Sequence, residues 1–394
     1  MSEIVRLAAK GDGVTEDGRY VAGAVPGDRI GEGGSIEPGP HHAAPPCRHF
    51  PRCGGCQLQH ADEEVLTRFV TDRVINAAAS QGLTPRTLLP TFLVPPQTRR
   101  RATLHANRQG KRLLLGFKEQ RSNRIVDLRE CPVLRPELFA LVAPLRSLLT
   151  DIAGRQPMEI ALTLVDQGVD CAIGRIELDG YSAIEAVTDF ARSHNLARLS
   201  VDQGYGMGAM WEPEPATVTL SGTPVRFPPR GFLQPAIEGE GRLVADALDF
   251  AQGDRVADLF AGLGTFAFAF TSEGKAVSAY EASRDAHLAF REAARTNPRL
   301  SGEHRDLFRN PLDAKELGVF DTVVLDPPRA GAREQIDQLA RSGLERVVYI
   351  SCNPASWARD AARLAEAGFR LEALRPVGQF RWSTHVELAS VFVR

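Results

Sequence analysis

The chain has 394 residues, enough for about two or three domains, and a formal net charge of −2 that excludes a globally basic protein. Its 43% apolar residues can build sizeable cores. No run of eighteen apolar residues and no amino-terminal signal segment occurs, so a soluble, cytoplasmic protein without membrane partners is expected.

In chain order, residues 1–45 hold short apolar runs, Ile4–Leu7 and Tyr20–Val25, then Pro26-Gly27-Asp28, which predict a small β unit. Glu32–Pro46 is rich in Gly, Pro and His and reads as a linker. Leu66–Ala79 has helical periodicity. Alternating runs then dominate to about Phe227 (Arg101–His105, Leu113–Phe117, Ile160–Val165, Cys171–Leu178), so 46–230 is expected to be a mostly β domain with some helix. Within it Arg99, Arg100, Arg101, Arg108, Lys111, Arg112, Lys118, Arg121 and Arg124 cluster. That stretch reads equally as a phosphate-neutralising surface or as an ordinary solvated β face.

Pro228-Pro229-Arg230-Gly231 marks a boundary, after which strand and helix alternate. Strands are predicted at Arg255–Phe260, Ala276–Ala279, Asp321–Leu325 and Arg346–Ile350, separated by helices. This predicts an α/β domain over 231–394, with a largely parallel, doubly wound sheet. The last runs, Arg370–Pro376 and Val386–Val393, predict an antiparallel hairpin at one sheet edge.

Several strand ends carry chemistry. Asp258-Leu259-Phe260-Ala261-Gly262-Leu263-Gly264-Thr265 is a glycine turn that lets backbone approach a ligand at a helix start, a feature nucleotide cofactors of several kinds share. Glu281 lies at the offset of an acidic residue that grips ribose hydroxyls and reads equally as a helix-start charge; Asp306 offers an acceptor for an adenine amino group and reads equally as a solvated turn. Asp326-Pro327-Pro328-Arg329 ends the strand before the cysteine strand. This resembles a motif of amine-directed methyltransferases, in which an aromatic stands at the position of Arg329; the arginine counts against amine chemistry. Cys352 sits between a strand and a helix opened by Pro354, where the helix dipole favours a thiolate. A lone cysteine there also reads as a small buried hydrophobe. Glu387 is an acidic residue in an otherwise apolar strand; alone it reads first as a strand-end charge facing water, and if desolvated it would be tuned toward a general base.

Cys47, Cys53, Cys56 and Cys131 form a metal-binding pattern. Zinc and an iron–sulfur cluster are both open, though a five-residue gap is long for a zinc pair. His41, His42, His49 and His60 read as linker and surface histidines, and Cys171 as core.

Four motifs, Asp258–Phe266, Asp326–Arg329, Ser351-Cys352-Asn353-Pro354 and His385-Val386-Glu387, resemble in order and spacing those of the RNA (uracil-5-)methyltransferase family, across about 46–394. A fifth, Phe232-Leu233-Gln234, looks like its Phe-x-Gln segment. The resemblance implies a Rossmann-like domain using S-adenosyl-L-methionine to methylate C5 of a uridine in RNA, with Cys352 as nucleophile and Glu387 as base. Gln234, Phe260, Gly262, Thr265, Glu281, Asp306 and Asp326 would form the cofactor site. It also implies a [4Fe–4S] cluster on the four cysteines. The subgroup carrying them acts mostly on 23S ribosomal RNA, so a monomeric rRNA enzyme is expected. Alternatives are a tRNA uracil-5-methyltransferase or an amine-directed enzyme with a structural Cys352. Residues 1–45 resemble a shortened TRAM domain.

Overall fold

The computed structural model describes residues 2–394 apart from 111, 153 and 155, so Lys111 of the basic stretch lies outside the described residues. The chain forms two compact units. One contains the chain up to Phe69, Val94–Ala216 and Phe380–Thr384; the other contains Val70–Leu93, Thr217–Gln379 and His385–Arg394.

The first unit begins with five short antiparallel strands in the order Tyr20–Val21, Gly13–Thr15, Ser2–Leu7, Arg29–Ile30, Ile36–Glu37. They form an open, TRAM-like half-barrel around Ile4, Ala24 and Ile30. The segment read as a linker from Glu32 onward returns to this sheet, because Ile36–Glu37 pairs with Arg29–Ile30. Asp28 holds the closure. Its buried carboxylate accepts from the Val25 N–H at 2.8 Å and the Gly39 N–H at 2.7 Å, and pairs with His42 Nδ1 at 2.8 Å.

A six-stranded sheet follows, in the order Met207–Trp211, Arg198–Asp202, Gly168–Gly174, Met158–Val165, Arg101–Gln109, Arg112–Gly116. All neighbours are antiparallel except Gly168–Gly174 and Arg198–Asp202, which helix Gly180–Ser193 connects as a parallel crossover. Leu104, Leu115, Ile160, Cys171 and Val187 lie in its core, which confirms Cys171 as a packing residue. The basic stretch is not a uniform solvated face. Arg100 is buried and Arg112 is bound to Asp127 at 2.7 Å, while Arg108 donates to the Thr150 carbonyl at 2.6 Å. Lys118, Arg121 and Arg124 remain exposed.

The second unit is built on one mixed sheet. Its order is Leu300–His304, Ala276–Glu281, Arg255–Leu259, Thr322–Leu325, Arg346–Ser351, Glu387–Val393, Arg370–Gly378, Thr87–Leu88, with Phe92–Leu93 also on Arg370–Gly378. The first five strands are parallel. Thr322–Leu325 and Val347–Ile350 are wholly buried, as expected for parallel strands covered on both faces. The closing hairpin is antiparallel, but Arg370–Gly378 is not the edge: the upstream two-residue strands extend the sheet beyond it. Strand order reverses between Arg255–Leu259 and Thr322–Leu325. At such a switch point neighbouring carboxyl ends diverge and leave a crevice for a ligand.

Candidate active site

The loops at this switch point gather the residues singled out in the sequence. Arg255–Leu259 ends at Phe260, held at φ 64°, and Gly264 caps helix Thr265–Ser272 at φ 94°. A Cβ on Gly264 would meet Phe290 at 2.5 Å, whereas one on Gly262 would meet only open space. Gly264 therefore serves packing, and Gly262 and Thr265 line an unobstructed approach to the helix start. Glu281 already supports this turn. Its Oε2 accepts from the Gly262 N–H at 2.8 Å and its Oε1 from the Ser283 N–H at 2.6 Å. Further along, Asp306 accepts from the Phe308 N–H at 3.0 Å. The Phe308 ring lies 5.5 Å from Phe260, so the two make an apolar wall beside Asp306. Phe308 gave no signal in the sequence, being one aromatic in a turn.

Asp258 is fully buried, and neither oxygen has a hydrogen-bond partner. Burial and then the nearby Asp326 push its pKa well above the carboxylate range. A buried orphan acceptor next to an open glycine turn is suited to a cationic or hydrogen-donating ligand.

Across the switch point, the loop after Thr322–Leu325 is tied to the helix that follows Cys352. The Arg329 carbonyl accepts from Asn353 Nδ2 at 2.9 Å and Ser356 Oγ at 3.0 Å. Asp360 accepts from the Ala332 N–H at 2.8 Å and the Tyr349 hydroxyl at 2.7 Å. The Arg329 guanidinium donates to His385 Nδ1 at 2.5 Å. Asn353 caps helix Pro354–Glu366 through Ala355 N, as the Asn-Pro pair predicts. Register then brings the two reactive candidates together. Ser351 pairs with Leu388, so the next positions outward, Cys352 and Glu387, lie side by side.

A chain of carboxamides joins the carboxylates. Gln234 Nε2 donates to Asp326 Oδ2 at 3.1 Å, and Gln379 Nε2 donates to Gln234 Oε1 at 3.0 Å and to Glu387 Oε2. Gln379 went unnoticed in the sequence, where it follows an apolar strand as a single polar residue. Burial raises Glu387 to about 8, with Asp326 adding to the rise and Gln379 opposing it. Burial likewise raises Asp326 to about 7, against the Gln234 hydrogen bond. The expected thiolate at Cys352 is corrected here. Its pKa is pushed up to about 11, first by burial and then by Glu387 and Asp326, with Arg329 opposing. Burial outweighs the helix dipole, and the two nearby carboxyls add to it.

A family profile described as tRNA (Uracil-5-)-methyltransferase matches residues 301–394. Over the full length of both chains, the protein is 49% identical to an uncharacterised RNA methyltransferase of Zymomonas mobilis. It is 30% identical to the 23S rRNA (uracil(1939)-C(5))-methyltransferase RlmD of Pectobacterium atrosepticum, over 91% of this chain and 82% of that one. The chain belongs to the RNA uracil-5-methyltransferase family. It is an S-adenosylmethionine-dependent enzyme of uracil C5 in RNA, which sets aside the amine-directed alternative. The fold of this uracil-5-methyltransferase matches the Pyrococcus abyssi tRNA (uracil-54, C5)-methyltransferase solved with S-adenosyl-L-homocysteine. The TM-score is 0.74 over 100% of both chains, at 20% identity.

The first unit of the methyltransferase holds a second candidate site. Cys47, Cys53, Cys56 and Cys131 line one cavity together with Phe117 and Arg99, enclosing about 420 Å³ of atom-free space including its mouth. All four thiols are free, and burial raises each pKa, Cys56 to about 12. The Arg99 guanidinium lies 5.3 Å from the Phe380 ring centroid. Among the described residues, no group of three His, Cys, Asp or Glu is placed to hold a single metal ion. Three nearby histidines have other partners: His41 pairs with Asp62, His42 with Asp28, and His49 accepts from the Arg129 N–H at 2.9 Å. His60, expected at the surface, is instead buried with its ring stacked on Phe50 at 5.4 Å. Among the described residues no helix is long and apolar enough to cross a membrane.

The raised carboxyls predict how stability follows pH. Folded Asp326 and Glu387 keep protons that the unfolded chain releases near pH 4, so the folded state binds more protons between about pH 4 and about pH 8. Stability therefore falls as pH rises through that window. Above the histidine range no buried imidazole opposes the trend. The ligand-free enzyme should melt several degrees lower at about pH 8.5 than at about pH 7, and Glu387→Gln should flatten the difference. A wild-type Tm that rises over this interval would show these carboxyls to be ionised and paired.

Proposed function

We propose that the enzyme methylates C5 of a uridine in 23S ribosomal RNA through a covalent bond between Cys352 and C6. The observation that carries this reading is the convergence of Cys352, Asp326 and Glu387 on the ends of neighbouring strands. In this reading Cys352 gives up its thiol proton to solvent, and the thiolate adds to C6 and makes C5 an enolate carbon that takes the methyl group from the sulfonium. Glu387 then accepts the C5 proton, and the Cys352–C6 bond breaks as the ring regains its double bond. Asp326 and Gln234 orient the groups in the crevice. S-adenosylmethionine would be held by Gly262, Thr265, Glu281 and Asp306, with its adenine against Phe260 and Phe308. The open space over Gly262 and the orphaned Asp258 fit such a ligand. The target base must leave its stack to reach a crevice of this kind.

In this reading residues 1–45 and 46–230 serve RNA docking and 231–394 the chemistry, in a cytoplasmic monomer. Exposed Lys118, Arg121 and Arg124 contact phosphates. The 23S relative supports ribosomal RNA, while the family profile's own description favours tRNA as the second reading. Mapping 5-methyluridine in both RNAs from a strain lacking the gene decides between them. Loss from tRNA alone would overturn the ribosomal assignment.

In this reading the four thiols around one cavity hold a [4Fe–4S] cluster rather than zinc, because the five-residue gap between Cys47 and Cys53 is long for a zinc pair. Cys47, Cys53, Cys56 and Cys131 would hold it. When bound, such a cluster supplies a cross-link between Cys47–Cys56 and the Cys131 segment, not methyl transfer. Protein purified without oxygen should be brown, and Cys53→Ser should lose the visible absorbance and lower the Tm. Colourless protein with stoichiometric zinc would reverse this assignment.

A further inference from the structure

The two glutamines form a directed relay. Gln234 turns its NH2 toward Asp326 and its carbonyl toward Gln379, the direction that an ionised Asp326 requires. Gln379 must then donate to that carbonyl, and its second N–H is left for Glu387. Its own carbonyl oxygen is buried without a partner. The place for this carboxamide is also built by a neighbour. A Cβ on Gly239 of helix Ile237–Phe250 would fall 2.5 Å from the Gln379 Cγ and Oε1. A bare helix position and an unsatisfied buried carbonyl both disfavour stability, so their presence together calls for a role in the reaction.

We propose that Gln379 is a positioning residue that aims Glu387 at the C5 proton and links it to Asp326 through Gln234. This rests on the reading of Glu387 as the base. The groups facing Glu387 are Asp326 from the end of Thr322–Leu325, Cys352 from the end of Arg346–Ser351, and Gln379 from the end of Arg370–Gly378. Arg329 bears on Cys352 and is bound to His385. Among these, Gln379 supplies the hydrogen bond that favours the charged form of Glu387. Without it the carboxylate loses both its aim and part of its stabilisation, so the base needs higher pH to ionise. The step affected is proton removal from methylated C5, after the Cys352–C6 bond has formed and the methyl group has moved.

The test uses the full enzyme, S-adenosylmethionine, and transcripts of 23S and transfer RNA in two forms, with uridine or with 5-fluorouridine. Fluorine at C5 cannot leave as a proton, so the second form reports addition and methyl transfer without the proton-removal step. Gln379→Met, which keeps the bulk, should form the fluorinated adduct within about twofold of the wild-type rate. On ordinary RNA it should turn over about tenfold more slowly or worse, accumulate methylated covalent adduct, and move the acidic limb of its pH profile upward. Gln379→Glu places a second carboxyl against Glu387 and should be slower than Gln379→Met. Parallel loss of both steps with an unchanged pH profile would mean that Gln379 only supports the fold, and overturns the proposal. Equal turnover of Gln379→Met and wild type also overturns it. The underlying reading fails separately, by wild-type enzyme forming no fluorinated adduct or by Glu387→Gln releasing product normally.

Discussion

Cys352→Ala is expected to abolish methyl transfer and covalent capture of 5-fluorouridine RNA together, with turnover lower by about 10⁴-fold or more. Uracil C5 is a weak nucleophile, and without a sulfur at C6 no enolate forms to attack the sulfonium. The loss should not come from unfolding. Cys352 is only partly buried, ends a strand, and makes no side-chain hydrogen bond that the cap at Asn353 depends on. Truncating it to alanine should change the Tm by no more than a few degrees, and RNA affinity should hold. Gel-shift with 5-fluorouridine transcripts, denatured before loading, reads the adduct directly. If the alanine variant still yields a denaturation-resistant complex, another nucleophile is responsible and the assignment falls. Since Cys352 rests as a thiol with a pKa of about 11, wild-type adduct formation should also speed up with rising pH. The neighbouring carboxyls that raise the thiol are themselves partly protonated near neutrality, which limits how far they oppose the thiolate.

Glu387→Gln should give the opposite phenotype at the second step. Adduct formation and methyl transfer persist, but the C5 proton stays and the enzyme remains bonded to methylated RNA. Turnover is expected to fall by about 10²- to 10⁴-fold, the usual contribution of a positioned base. With methyl-labelled S-adenosylmethionine and ordinary RNA, label should appear in a protein–RNA band that wild type does not accumulate. Free 5-methyluridine released at the wild-type rate would remove Glu387 from the mechanism. The same change should raise the Tm near pH 8, because it replaces a buried carboxyl, raised to about 8, with a neutral group of the same shape. More stability with less activity separates this variant from one that merely folds badly.

Much of the methyltransferase unit was legible from one-dimensional pattern. Its parallel strands are buried on both faces and so appear as short continuous apolar runs, and their carboxyl ends carry the polar residues. The missed strand Leu300–His304 is the outermost of the parallel set, with three of its five residues exposed, and lacks such a run. The strands Thr87–Leu88 and Phe92–Leu93 have two residues each, too few for any period, and exist because Arg370–Gly378 offers a free edge. The basic stretch looked like one surface because sequence gives charge without direction. Asp127 draws in Arg112, Arg129 and Arg146, and burial takes Arg100.

The sequence by itself determined the order of elements, the glycine turn, the positions of Cys352, Asp326 and Glu387, and the four cysteines that share a pocket. Those follow from local composition and from chemistry that tolerates few residue types. Tertiary structure alone decided the protonation of the site and its wiring. Whether a thiol is charged depends on its burial and on the groups that face it, and the antiparallel register that sets Glu387 beside Cys352 adds to what burial does. The Gln234–Gln379 relay joins residues 145 positions apart. No local signal predicts such a bond, because it forms only when a loop, a helix glycine and a closing hairpin meet around one carboxamide.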